Sequence, residues 1–413
     1  MAAPHSRPLA LALVLVVGCA QDSASGGDCQ PGSGGKGDSQ SDGRFPDYAT
    51  GQLPDDWETY SRYRFQLAQD YPGALPDASE TPTFMSLDFR AAPDDYLFAV
   101  RGYVFDGFIH PGEQTNGHPD MDFRAEFNTV RKWYGVPWMH TGAHPREGLH
   151  GLTRELDAQP GKLDPAQIDT LQDWGVAFYN ALGGYTIGQV WKDHLRPDVS
   201  AASFPEGATV FKILFTEGDA TEVPWTDGAP TFWANIDADL DAKGAKLVHE
   251  VRLIQMDVAI KDARAATGWV YGTFVYDPAA EVSDDDLTRY GAYARMMPVG
   301  LSFGNDPGKL PGTPLEETLL SARIPPHAQK TLGWGGRMNG PADNPSSACQ
   351  SCHATAEWPA RSPMAPRPST SNDARLRWFR DLASGQPFDD SSLSLGTSLQ
   401  LEIAMRNFTA QHR

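Results

Sequence analysis

The sequence predicts an α+β protein, in which a large antiparallel β-rich domain with inserted helices precedes a small α-helical unit. Two observations support this prediction. Runs of β-branched and aromatic residues recur through the middle of the chain, as expected of strands. After Asp306 these runs give way to a stretch dense in Pro, Gly and Ser, and helix-compatible segments then continue to the end of the 413 residues.

The strand candidates lie between about residues 80 and 310. Each is rich in Val, Ile, Phe, Tyr or Trp, and the longest alternates apolar and polar side chains for much of its length. A short turn over 264–267 is predicted to join two of the strands. The predicted strands are 96–100, 103–109, 208–216, 247–262, 268–276 and 299–303.

Helices are predicted on both sides of these strands. The segment 164–182 has Asp164 as an N-cap, Pro165 at the first helical position and apolar residues at helical spacing. Three further segments have helix-compatible patterns. The predicted helices are 55–69, 164–182, 372–384 and 394–408.

The N-terminus predicts export. Arg7 precedes a short apolar core, Leu9–Val17, which is far below the ~20 apolar residues that a membrane-spanning helix needs. The segment then ends in Val-Val-Gly-Cys, which resembles a bacterial lipobox. This resemblance implies a lipoprotein signal peptide over 1–18, acylation of Cys19, and a lipid-anchored protein facing the periplasm or the cell surface. An ordinary signal peptide with an incidental Cys19 is the alternative.

A Gly-, Ser- and Asp-rich stretch follows the signal. Residues 19–45 lack the apolar side chains that would offset the entropy of ordering a chain, so they are predicted to be a flexible tether. Cys29 lies in this tether and has no evident intrachain partner. The remaining chain is divided into the β-rich domain, 46–334, and the C-terminal unit, 335–413.

The formal net charge is −19, which makes the protein strongly acidic. An acidic surface argues against binding nucleic acid and against adsorption to anionic lipid. It favours solubility, and it suits a basic partner protein. The only membrane contact predicted is therefore the lipid on Cys19.

The motif that carries most chemistry is CQSCH. Cys349 and Cys352 are three positions apart, and His353 follows the second thiol directly. Half of a zinc site would need a second Cys/His pair, and the chain has no second CxxC. A thioredoxin-like redox pair would need a βαβ context, which the pattern lacks.

This motif resembles that of the c-type cytochromes, over about the last 80 residues. The resemblance implies one haem c, attached by thioether bonds from Cys349 and Cys352, with His353 as the proximal iron ligand. Met364, in the Pro-flanked stretch SPMAP, resembles the distal ligand of such proteins. Met405 is the rival, but its helical pattern favours a core methionine.

The whole chain also resembles uncharacterised bacterial proteins of the cytochrome c family. The shared stretches include WMHTGAHPREGLHGLTRE and GWVYGTFVYD. This resemblance implies no particular activity.

A second constellation lies far upstream of the motif. His140, His144 and His150 fall within eleven positions, with Arg146 between the last two. A His and an Arg are the groups that a distal haem pocket needs to activate peroxide, so His140, Arg146 and His150 are candidate catalytic residues. A metal site on His140 and His144 is another interpretation, although the nearby Pro and Gly residues disfavour the required helix. A structured loop whose imidazoles bond locally is the third.

These observations give three functional hypotheses. The first is electron transfer by a membrane-anchored monohaem cytochrome, which needs only the residues already named. The second is a haem-dependent oxidoreductase, peroxidase- or oxygenase-like, whose β-rich domain forms the substrate pocket. The third is a binding protein in which the β-rich domain holds a ligand and the haem senses redox state or a gas.

Overall fold

The structure is a computed structural model of the full chain. It describes residues 45, 53–62, 64–115, 118–121, 123, 130–140, 144–241 and 245–412. The predicted signal peptide 1–18, Cys19 and the tether up to residue 44 lie outside the described residues. Residues Gly43–Arg413 belong to one compact unit.

An eight-stranded antiparallel sheet organises this unit, which confirms the α+β class with a large β-rich portion. A long central strand of 16 residues pairs with one partner through its C-terminal half and with another through its N-terminal half. The strands are β3 (Thr153–Arg154), β4 (Asp173–Tyr179), β5 (Thr209–Thr216), β6 (Thr231–Asp237), β7 (Lys246–Lys261), β8 (Trp269–Tyr276), β9 (Met296–Ser302) and β10 (Thr318–Leu320). The order is β10-β9-β8-β7-β5-β4-β3, and β6 pairs with β7.

Two small ribbons lie outside this sheet. The first is formed by β1 (Ile109–Thr115) and β2 (His118–Met121), and the second by β11 (Glu357–Trp358) and β12 (Leu393–Ser394). The α-helices are α1 (Pro93–Asp106), α2 (Ala181–Val190), α3 (Asp284–Tyr290), α4 (Cys349–His353), α5 (Asn372–Arg375) and α6 (Leu399–Gln411).

The four strands predicted at 208–216, 247–262, 268–276 and 299–303 are confirmed as β5, β7, β8 and β9. Alternation along them separates two faces, since successive side chains of a strand point to opposite sides. Phe211, Val258 and Phe274 lie in the main hydrophobic core on one face. Ala259 and Tyr271 lie on the other face, in a second hydrophobic cluster.

The predicted strands at 96–100 and 103–109 are wrong, because most of this segment is helix α1. Pro93 occupies the first turn together with two Asp residues, which suits the helix dipole. Its buried apolar residues recur at helical spacing and face the main core. The strand prediction followed the β propensity of Tyr, Phe and Val instead of the helical spacing of the apolar residues. The buried residues are Tyr96, Leu97, Val100, Arg101, Val104 and Phe105.

The predicted helix at 164–182 is also wrong. Residues 173–179 form β4, which is buried along its whole length, and Ile168, expected on the apolar face, is 77% exposed. A strand buried on both faces shows no alternation, so its apolar residues matched a helical spacing by chance. The predicted helix at 55–69 is reduced to a single 3₁₀ turn at Trp57–Thr59.

The C-terminal residues are only partly helical. The predicted helix at 372–384 shrinks to α5, whereas the one at 394–408 is present as α6, shifted by several residues. Leu401, Met405 and Phe408 of α6 pack in the second cluster with Trp269 and Tyr271 of β8. The C-terminal residues and the sheet therefore share a core, and the boundary proposed at residue 335 stays a prediction.

Candidate functional site

The two motif cysteines and the histidine lie on α4, a helix of only five residues. The helix begins after Ala348, whose backbone N–H donates to Ser351 Oγ at 2.9 Å while Ser351 Oγ donates back to the Ala348 carbonyl at 3.0 Å. Residues three apart lie on one side of a helix. Both thiols, which are free, and the imidazole therefore belong to a single turn that packs over the sheet.

His353 has a defined tautomer. Its Nδ1 lies 2.9 Å from the carbonyl oxygen of Thr397, and because a carbonyl can only accept, Nδ1 carries the proton. Burial lowers the pKa of His353, which favours the neutral ring. Nε2 consequently keeps its lone pair, as a metal-ligating imidazole requires.

The backbone at Thr397 is arranged to offer this carbonyl. Gly396 and Thr397 both have positive φ, at 60° and 66°. A β-branched residue in this region is a conformational outlier, and such conformations cost of order 1–3 kcal/mol each. The ring of Tyr271, 5.1 Å from the imidazole, packs against His353 from the sheet.

The Cys349 sulfur lies among polar groups of the sheet and of the loop before α4. Its Sγ is 3.6 Å from Thr273 Oγ1, 3.6 Å from Asn339 Oδ1 and 3.9 Å from Asp343 Oδ2. Met338 Sδ lies 3.7 Å away. Burial raises the pKa of the Cys349 thiol well above its usual value, so the thiol is neutral.

A pair of carboxylates adjoins this thiol. Gln255 Nε2 donates to Asp257 at 2.8 Å and to Asp343 at 3.0 Å, so one amide joins both acids. Burial, followed by the neighbouring Asp343 charge, raises the pKa of Asp257 to about 8. Within the part of the chain that the structure describes, Asp257, Asp343 and Cys349 are the one trio of Asp, Glu, Cys or His residues with ligand atoms mutually within 4.8 Å.

Cys352 is also protonated in this environment. Burial, with the charges of Asp343 and Glu402, raises the pKa of its thiol to about 12. A nucleophilic or redox-active cysteine needs the opposite shift, because the thiolate is the reactive form. This pair of thiols therefore does not resemble a thioredoxin-type redox site.

The methionines occupy different surroundings. Met364 lies on a loop and is 36% exposed, whereas Met405 is 5% exposed in the core face of α6. The structure thus agrees with a core position for Met405. Met338, which is fully buried beside the Cys349 sulfur, was not singled out from the sequence, because nothing in its pattern marks it.

The histidines upstream are separated by their contacts. His150 is buried between the rings of Phe123 and Phe232, and burial lowers its pKa. His144 Nδ1 lies 2.5 Å from the buried carboxylate of Asp237. His140 is near α6, where its carbonyl accepts a hydrogen bond from Asn407 at 2.9 Å.

Arg146 is directed at the backbone. It donates from Nε to the Met139 carbonyl at 3.2 Å and from Nη1 to the Gly151 carbonyl at 2.9 Å. These bonds fix the loop that contains the three histidines. Among the described residues, no group of three or more Asp, Glu, Cys or His residues close enough to share a metal ion includes His140, His144 or His150. This geometry favours the structured-loop interpretation of the segment.

Comparison of the chain with models of known protein families, with curated proteins and with solved structures gave no match. Among the described residues, no helix has the length and apolar character to cross a membrane. The function is therefore inferred from the chemistry of the site itself.

Proposed function

We propose that this chain is an exported, membrane-anchored monohaem c-type cytochrome that transfers electrons. One observation carries the proposal: both thiols of CQSCH and the imidazole of His353 share one helical turn, and His353 Nδ1 is bound to the Thr397 carbonyl, 2.9 Å away. In this proposal the haem is covalent, Cys349 and Cys352 attach it, and His353 and Met364 are its iron ligands.

The chemistry of the site fits a thioether-linked haem. Both thiols are free and neutral, and Cys349 lies against Asp343 and close to Asp257. A thiolate here would face two acids, whereas a thioether carries no charge and no ionisable proton. Covalent attachment thus removes two titratable groups from a buried region that already contains two acids.

The haem would supply the one-electron chemistry, and the chain would hold and tune it. Thr397 fixes the orientation of His353 and strengthens it as a ligand through the hydrogen bond at Nδ1. Tyr271 and its neighbours in the second hydrophobic cluster restrict the access of water to the His353 imidazole. In this account residues 335–413 are the haem-binding unit, supported by the sheet.

The proposed location and partners are supported by the sequence alone. A lipoprotein signal over 1–18 and acylation of Cys19 would place the protein on the periplasmic side of a bacterial membrane or at the cell surface. Haem c is attached on the exported side of the membrane, so the predicted signal peptide and the CQSCH motif are consistent with each other. We expect the partner to be a redox protein with a basic surface. We expect no binding of nucleic acid.

A second function is favoured by one observation. Met364 is 36% exposed, so burial does not fix the position of its side chain. An iron without a sixth protein ligand would be open to peroxide or oxygen, as a haem-dependent oxidoreductase requires. His140, Arg146 and His150 remain the candidate catalytic residues for that alternative.

The visible spectrum distinguishes the two functions. The protein should be matured in a host with haem-attachment machinery and measured oxidised and reduced, as wild type and as Met364→Ala. A low-spin spectrum with the weak long-wavelength band of methionine ligation, lost in the variant, supports electron transfer. A high-spin spectrum that Met364→Ala leaves unchanged and cyanide perturbs would overturn that proposal and favour the enzyme. Met405→Leu is the matched control.

A further inference from the structure

A cleft with no role in the proposed haem site lies between α1, α3 and the start of β9. Its volume is about 510 Å³, within the usual range of small-molecule sites. Four arginines from separate parts of the chain line it, and they face only three carboxylates. The charged lining residues are Arg101, Arg131, Arg289, Arg323, Asp106, Glu281 and Asp286. This excess of cations is notable in a chain whose net charge is −19.

Arg101 lies at the base of this group and is 4% exposed. One terminal nitrogen donates to the carbonyl of Ala294 at 2.6 Å, and the other donates to Asp286 at 2.8 Å. Its Nε donor meets no acceptor among the described residues. This buried guanidinium is therefore incompletely hydrogen-bonded, and a negative charge in the cleft beside it would be favourable.

The outer arginines have spare donors. Arg323 donates one hydrogen bond, at 2.8 Å, to the Glu281 carbonyl, and Arg289 pairs with Asp106 at 2.6 Å. A guanidinium has five N–H donors, so each keeps several for a ligand. Their planar fork matches a carboxylate or a phosphate. Both side chains are exposed enough to be replaced without opening the core.

The cleft also has an apolar side. The guanidinium of Arg323 lies 5.0 Å from the centre of the Phe98 ring, and that of Arg131 lies 3.5 Å from the centre of the Tyr103 ring. Buried Met297 also belongs to the lining. Rings and a methionine beside arginines suit a ligand with an apolar body and an anionic head.

We propose that this cleft binds a small organic anion that carries a carboxylate or phosphate on an apolar or aromatic body. The site gives the large β-rich portion a role that one haem does not require. No lining residue belongs to the haem motif, so the inference does not depend on the proposed function.

Isothermal titration calorimetry of the full-length protein tests the inference with benzoate, phenyl phosphate and uncharged benzamide. Benzoate or phenyl phosphate should bind, benzamide should not, and Arg323→Gln with Arg289→Gln should weaken the anion about tenfold or more. Arg196→Gln is the matched control, because Arg196 is 87% exposed and outside the cleft.

Three results would overturn this inference. The first is that neither benzoate nor phenyl phosphate binds. The second is that benzamide binds as tightly as the anions. The third is that the double variant binds the anion as tightly as the wild type. Circular dichroism of the double variant ensures that weakened binding reflects lost contacts rather than lost folding.

Discussion

Replacing Met405 by Ala should destabilise the whole compact unit, although only eight residues of the sequence follow Met405. The side chain is 5% exposed and belongs to the cluster that α6 shares with β8. Met→Ala removes three buried heavy atoms, and substitutions of this kind in a core cost about 2–5 kcal/mol. At a denaturant dependence of ~3 kcal/mol per molar, the urea midpoint would fall by about 1 M.

Urea unfolding followed by tryptophan fluorescence and by far-UV circular dichroism measures this change. Leu310→Ala is the control, since replacing an exposed loop leucine should alter the free energy of unfolding by less than ~0.5 kcal/mol. Equal effects of the two variants would contradict the placement of Met405 in the core. So would a Met405→Ala transition that splits, with the sheet unfolding at its original midpoint, because α6 would then not share its core.

Three further predictions concern the site. Burial raises the pKa of Asp257 from 3.8 to about 8, so the folded protein retains this proton to higher pH than the unfolded chain, and stability should fall as pH rises through that window. Urea titrations at several pH values measure this effect. Asp257→Asn should reduce the loss of stability with rising pH, whereas the exposed control Asp285→Asn should not. An unchanged pH dependence of stability in Asp257→Asn would contradict the raised pKa of Asp257. Gly340→Ala should lower stability by about 1–3 kcal/mol, because its Cβ would lie 2.2 Å from Gln255 Oε1, which already accepts from Ala342. A thermal melt identical to wild type would show that Gln255 moves freely. His353→Ala should keep covalent haem but change the spin state, and an unaltered visible spectrum would exclude His353 as an iron ligand.

The central strands could be predicted because their residue types and their environment agree. Val, Ile, Phe and Tyr in β5, β7 and β8 favour strands, and their alternation matches a sheet with two differently packed faces. Local preference and tertiary burial therefore pointed to the same structure.

Prediction from the sequence was wrong where local residue preference and tertiary burial disagree. Strand β4 is buried on both faces and has no alternation, while α1 is built from residues of high β propensity. Strand β6 was not predicted, although it supplies Asp237, whose buried carboxylate binds His144, Arg154 and Lys246. Only tertiary contacts determine these elements.

The motif could be identified from sequence because its chemistry is local, with three residues on one turn. The groups around it come from distant positions. Asp257 and Thr273 lie on adjacent strands, and Thr397 is 44 residues beyond His353. None of them has a sequence signal of its own, since an Asp in a strand or a Thr after a Gly is common. The predicted signal peptide and Cys19 remain predictions from the sequence.

The most direct test of the central claim is a measurement of haem that remains bound to the denatured chain. Protein matured with haem-attachment machinery should be resolved on a denaturing gel, stained for haem and weighed intact by mass spectrometry. We expect one haem per chain in the wild type and in the control Cys29→Ala. We expect no chain-linked haem in Cys349→Ala/Cys352→Ala. Chain-linked haem in that double variant, or its absence from the wild type, would contradict covalent attachment at Cys349 and Cys352.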